Sequence, residues 1–116
     1  MLRPFLIATA LSVVVLFSGA AAASAATCPS SSLPRYPGSG YFTALKVSGV
    51  SCSTGKKVMQ AHYKCRVKHG KTGRCSTRVL GYSCSEKRRS IETELDSTVT
   101  CKNGSKKVVY SYQQDT

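Results

Sequence analysis

Acidic side chains are scarce in this chain. Its 116 residues include five Asp and Glu against 17 Lys and Arg, for a formal charge of +12. A field of one sign and that strength selects anionic partners, and such contacts weaken steeply as salt rises. Close cysteine pairs are missing too. Structural zinc sites need Cys-x2–4-Cys spacing, whereas the nearest two cysteines, Cys75 and Cys84, stand nine positions apart. His62 and Cys65 lie one helical turn apart, but no second ligand pair follows, so neither a metal nor a cofactor is expected. No Gly-x-Ser-x-Gly elbow is present, and Asp96 and Asp115 have no local reason to meet a histidine, which argues against Ser-His-Asp hydrolysis. A phosphate loop is also lacking. The segment GVSCSTGKK, Gly49 to Lys57, comes near one, yet five residues separate Gly49 from Gly55 and Lys56 is followed by Lys57 instead of a hydroxyl. Nucleotide binding is therefore not expected. After Phe17 no apolar run approaches membrane-spanning length.

What is present near the start is Arg3, an apolar run from Phe5 to Phe17 and the small-residue tract SGAAAASAATC, the layout of a secretory signal peptide. Ala23-Ser24-Ala25 fits the A-x-A cleavage rule, so residues 1–25 are read as the signal peptide, with no transmembrane segment in the exported chain. Cys28 stands where a lipid-bearing cysteine would, but Thr27 precedes it where that processing uses Gly, Ala or Ser, so a lipoprotein is disfavoured. The expected location is extracellular, free or at the cell wall. Outside the reducing cytosol, the six cysteines (28, 52, 65, 75, 84, 101) read as disulfides. Three bridges at about 2–4 kcal/mol each would offset the small core of so short a chain.

Residues 26–40, rich in Ser, Pro and Gly, read as an irregular N-terminal tail, and residues 41–116 as a single α+β domain. YFTALKVSG alternates as a first strand with Thr43, Leu45 and Val47 on one face, and Gly49 ends it. Ser51 is placed to cap a helix running to about Arg66. At 100° per residue, Cys52, Gly55, Met59, His62 and Tyr63 share its broad inner face, with Val58 and Cys65 at the edge and Lys57, Gln60 and Lys64 pointing away. RVLGYSC reads as a second strand with Leu80, Tyr82 and Cys84 in phase, followed by a charged connector, SEKRRSIETELDS. A third strand carries Val99 and Cys101, and Asn103-Gly104 is the strongest hairpin signal. With those two residues as the turn, Cys101 opposes Lys106 and Val99 opposes Val108, and Val108, Tyr110 and Tyr112 face inward. The predicted fold is one helix packed on a small antiparallel sheet of about four strands (β-α-β-β-β), disulfide-braced.

In that sketch Cys65 and Cys75 close a short basic loop at the helix end, Cys84 and Cys101 meet on neighbouring strands, and Cys28 is left for Cys52. The alternative joins Cys52 to Cys84 and Cys28 to Cys101, and both remain open. VSGVSC followed by KKV, then GYSC, then STVTCKNGSKKVVY resembles a pattern found in small exported actinobacterial proteins. In these a Ser-Cys opens a helix, a cysteine lies on the middle strand, and Val-x-Cys-x-x-Gly precedes an apolar last strand. The resemblance covers about Leu45 to Tyr112 and implies the fold and export but no active site. It also implies that Cys28, Cys52, Cys84 and Cys101 form the common set, leaving Cys65 and Cys75 as an added pair bonded to each other.

Lys64, Arg66, Lys68, Lys71, Arg74 and Arg78 crowd into a stretch with no acid, and Lys87, Arg88 and Arg89 form a second cluster. Together they are the expected binding patch. Glu86, Glu92, Glu94 and Asp96 gather elsewhere, so the field is lopsided. For an exported chain the matching partners are an anionic wall polymer, an anionic membrane surface or another extracellular polyanion, although a solvated face also accounts for the charge. No nucleic-acid-binding motif appears, and the tyrosines are needed for the core. The expected function is a non-enzymatic binding or envelope-associated module. Two alternatives carry weight. The bridged loop CRVKHGKTGRC or the segment SEKRRSIETELDS could be offered to a protein partner, as in a protease inhibitor. A small secreted ribonuclease would use His62 and His69 as acid and base with lysines on the phosphate, but His62 falls on the apolar helix face and nothing local orients His69.

Overall fold

A computed structural model describes Ser12–Val14 and Ala25–Thr116; the rest of the signal-peptide assignment, residues 1–25, lies outside the described residues. Five strands and one long helix follow in chain order: β1 (Ala25–Thr27), β2 (Gly40–Ser48), α1 (Cys52–Val67), β3 (Ser83–Ile91), β4 (Glu94–Asn103) and β5 (Lys106–Asp115). All pairings are antiparallel, and the sheet order is β1-β2-β5-β4-β3. The α+β, disulfide-braced architecture agrees with the sequence reading, with five strands in place of about four. Among the described residues no helix is long and apolar enough to cross a membrane.

Helix α1 starts where its cap dictates: the Ser51 side chain accepts from the Thr54 backbone N–H at 3.1 Å, satisfying one of the orphan donors of the first turn. Gly55, Val58, Met59, His62 and Arg66 are its buried residues, at helical spacing over β2 and β5. A Cβ on Gly55 would lie 2.5 Å from Val47 Cγ1, so only glycine lets this turn approach the sheet. Gly55→Ala is accordingly expected to lower the midpoint of chemical denaturation. Overpacking costs about 1–3 kcal/mol, more than the roughly 1 kcal/mol that alanine gains in helix propensity. A midpoint at or above that of the parent would show that Val47 simply swings aside.

Leu45, Val47, Leu95, Val99, Val108, Tyr110 and Tyr112 fill the space under the helix. Tyr36, Phe42, Tyr63, Tyr110 and Tyr112 form an edge-to-face and stacked aromatic cluster with centroids 5.0–6.3 Å apart, the separation at which such rings attract. All three disulfides of the first pairing are present: Cys28–Cys52, Cys65–Cys75 and Cys84–Cys101. The last forms because β3 and β4 place its two residues directly opposite each other.

Several boundaries differ from expectation. The expected second strand, RVLGYSC, is a tight turn as far as Tyr82, and only its last two residues, Ser83 and Cys84, are strand, opening β3. Val79 and Tyr82 exchange both backbone hydrogen bonds, Leu80 and Gly81 take φ of 50° and 84°, and Leu80 is left 63% exposed. The supposed connector SEKRRSIETELDS is strand, turn and strand, because Glu86 and Arg88 find buried partners. The hairpin loop is Gly104-Ser105, with Asn103 paired to Lys106, Cys101 to Val108 and Val99 to Tyr110. That slip of two residues preserves the faces, so Val108, Tyr110 and Tyr112 still point inward. A register shift between Phe42 and Ala44 sends Phe42 inward and Thr43 outward, contrary to the uninterrupted alternation expected. Residues 26–40 are more than a tail. They hold most of β1, a 3₁₀ turn at Ser30–Ser32, and Tyr36, which is buried in the aromatic cluster.

Candidate functional site

The nine cations of the expected patch divide into four places. Arg66 is 0% exposed and Arg88 is largely buried, and both leave the patch. Arg66 lies four residues beyond His62, on the face of α1 that meets the sheet, and its guanidinium sits 4.4 Å over the Tyr112 ring. It donates to the Tyr36 hydroxyl at 2.7 Å, to Gln114 Oε1 at 3.1 Å and to the Lys71 carbonyl at 3.0 Å. Arg88 points inward because side chains alternate along β3. It pairs with Glu86, whose Oε2 also accepts from Ser97 at 2.8 Å and from the Tyr112 hydroxyl at 2.6 Å. Lys87 and Arg89, on either side, point to the opposite face of the sheet. A run of three cations in sequence is thus split across the sheet by the two-residue strand period.

These buried arginines shape the loop closed by Cys65–Cys75. Arg66 and Gln114 both donate to the Lys71 carbonyl, while Arg88 donates to those of Thr72 and Gly73. Three successive carbonyls are therefore fixed from inside, and the side chains of Lys71, Thr72 and Arg74 are left exposed.

The fourth place is a surface cleft of about 400 Å³ between the last turns of α1 and the segment Thr77–Val79. Lys64, Lys68, His69 and Arg78 line it, with Thr77 as a hydroxyl and no acid. The sole ion pair among the described residues is Arg88 with Glu86, so the cleft cations are uncompensated. Their position has a structural component, because cations near a helix C-terminus oppose its negative dipole end. That effect accounts for Lys64 and Lys68 and not for Arg78, which reaches the cleft from a separate segment. Exposed Leu80 follows directly after it.

His62 is 1% exposed and hydrogen-bonded through Nδ1 to the Tyr110 hydroxyl. Burial lowers its pKa to about 4; Glu86 pulls it up slightly, and Arg66 and Arg88 push it further down. An imidazole so placed is neutral at pH 7 and reaches no substrate. His69 stands apart from it on the cleft rim. Among the described residues no three His, Cys, Asp or Glu side chains could hold a metal ion.

No protein-family model, curated protein or solved structure matches the chain. Sequence reasoning misplaced Arg66, although its spacing from Val58, Met59 and His62 marks the buried stripe. The polar triad of Glu86, Ser97 and Tyr112 had no sequence signal, since it is assembled by strand register.

Proposed function

We propose that this is an exported, disulfide-braced, non-enzymatic binding module that engages an anionic partner of the cell envelope. The observation that carries the reading is the convergence of Lys64, Lys68, Arg78 and His69 on one cleft without any carboxylate. Three disulfides in so short a chain support an oxidising destination.

Oxidised protein is expected to be retained on immobilised wall polymer or heparin at low salt and to elute as salt rises, as counterion release requires. The triple variant Lys64→Glu, Lys68→Glu, Arg78→Glu is expected to elute at clearly lower salt, with an unfolding midpoint lowered only modestly, because all three side chains are exposed and reversing Lys64 and Lys68 at the helix end costs about 0.3–1 kcal/mol each. Absence of retention of the parent at low salt would remove the proposal.

A second reading is favoured by the clamped loop. Lys71, Thr72 and Arg74 are displayed on a backbone that is already ordered, which lowers the entropy cost of meeting a protein. Both lone pairs of the Lys71 carbonyl are engaged internally, so this loop would present side chains and not a scissile carbonyl at Lys71. Capture of an envelope protein that survives high salt and is lost with Arg74→Ala would favour this reading over the first.

A further inference from the structure

The face of the sheet turned away from α1 has no covering element among the described residues, and its side chains form rows that follow from the strand register. The first row runs Ala25, Ser48, Lys107, Lys102, Ser83, and the second Thr27, Lys46, Val109, Thr100, Ser85. Ser111, Thr98 and Lys87 belong to the third, beside the bulge in β2. Acids enter only in the last two rows, which hold Tyr41, Gln113, Asp96 and Arg89, then Asp115, Glu94 and Ile91. The face is thus divided along the strands into a basic and hydroxyl-rich end and an acidic end.

Lys102 and Lys107 are direct cross-strand partners, an arrangement that disfavours folding unless an anion intervenes. Neither is ion-paired, and the nearest acids on this face lie several rows away. Lys102, Lys107, Ser83, Ser85 and Thr100 line a shallow hollow of about 490 Å³. Strand spacing of about 4.8 Å and row spacing of about 6.8 Å put successive cations and hydroxyls within reach of successive charges on an extended polymer. The aromatic side chains do not contribute at this end. Tyr41, 70% exposed, lies in the acidic half, and Tyr110 and Tyr112 are buried on the other face, so bases would find no stacking platform at the basic end.

We infer that the basic end of this open sheet face is a binding site for a linear, non-aromatic phosphodiester polymer of the poly(polyol phosphate) type. Lys46, Lys102 and Lys107 neutralise its phosphates, and Ser83, Ser85 and Thr100 hydrogen-bond its hydroxyls. The site lies on the opposite side of the sheet from the cleft of Lys64, Lys68 and Arg78. It rests on the same reading of an anionic partner and assigns that partner a chemistry and a second surface.

The test is a titration of isotope-labelled oxidised protein with poly(glycerol phosphate), followed by amide chemical shifts, for the parent, for Lys102→Ser with Lys107→Ser, and for the cleft triple variant. The parent is expected to shift amides of β4 and β5 around Lys102 and Lys107. The Lys102→Ser, Lys107→Ser variant is expected to bind at least about tenfold more weakly, with a log–log salt slope shallower by about 1.4, two charges at about 0.7 each. Both substitutions are on an exposed face and relieve a like-charge pair, so the variant keeps or raises the parental unfolding midpoint. Unchanged affinity in this variant overturns the inference alone if the cleft variant is weakened, and overturns it together with the function proposed above if the parent does not bind. Equal shifts from inorganic phosphate at the same phosphate concentration would overturn the claim of a polymer site. Tighter binding of oligothymidylate than of poly(glycerol phosphate) of equal charge would replace the polyol polymer with nucleic acid.

Discussion

Glu86→Ala is expected to destabilise the protein by about 3–5 kcal/mol, the cost of removing one member of a buried ion pair. The carboxylate is the ion-pair partner of the buried Arg88 guanidinium, and it accepts from Arg88, Ser97 and Tyr112 at once. Without it, Arg88 is left without an anionic partner in the interior and the Ser97 and Tyr112 hydroxyls lose their acceptor. Against a total stability of about 5–15 kcal/mol for a small domain, that is a large fraction. The loop should respond as well, because Arg88 holds the Thr72 and Gly73 carbonyls only while Glu86 orients it. Denaturant unfolding measures the first effect and amide exchange in residues 70–74 the second. A loss below about 1 kcal/mol with an unaltered loop would show that Glu86 does not organise the interior.

Acid should destabilise the fold in two stages. The first belongs to His62, whose pKa is lowered from 6.5 to about 4 by burial in the folded protein. Between those values the unfolded chain takes up a proton and the folded one does not, so stability is complete above pH 6.5 and is lost progressively as pH falls to 4. At about 1.4 kcal/mol per unit, the loss over that window is roughly 3 kcal/mol. The second stage belongs to Glu86. Burial pulls its carboxyl upward, but the hydrogen bonds from Arg88, Tyr112 and Ser97 outweigh burial and hold it below the ordinary glutamate value. Its contribution is present above that ordinary value and disappears as pH drops through the folded pKa. Unfolding free energies measured from pH 7.5 to 3 should show both slopes, and His62→Gln should flatten the first and leave the second. A pH-independent parent between 6.5 and 4 would contradict a neutral buried imidazole.

The legible parts of the fold were those set by local chemistry and parity. Ser51 as cap, Gly55 on the inner face of the helix and the inward phase of Val108, Tyr110 and Tyr112 depend on neighbours in sequence or on a regular period. Of the two disulfide sets that the sketch left open, the one joining Cys84 to Cys101 is present, because a correct phase brings those two residues to one face. Failures arose where a long-range contact overrode a local cue. Charged SEKRRSI looks like a connector until Glu86 and Arg88 find each other and Ser97 inside. RVLGYSC alternates as a strand does, yet Leu80 and Gly81 reverse the chain there. The basic patch was legible as composition only. Its members were divided by helix face and strand parity, so Arg66 and Arg88 became interior struts, and Lys46, Lys102 and Lys107, dispersed in sequence, were assembled by register.

The division of Lys87, Arg88 and Arg89 between the two sides of β3 has a further consequence. An outermost strand with free backbone groups is a template on which another chain can grow, and fibrils begin in that way. Here one margin of the sheet is only three residues long, and the other carries charge on both faces. An incoming strand would have to desolvate Lys87 and Arg89 on the outer side as it paired. The two cations that flank Arg88, the arginine that shapes the loop from within, thus guard the molecule against accretion.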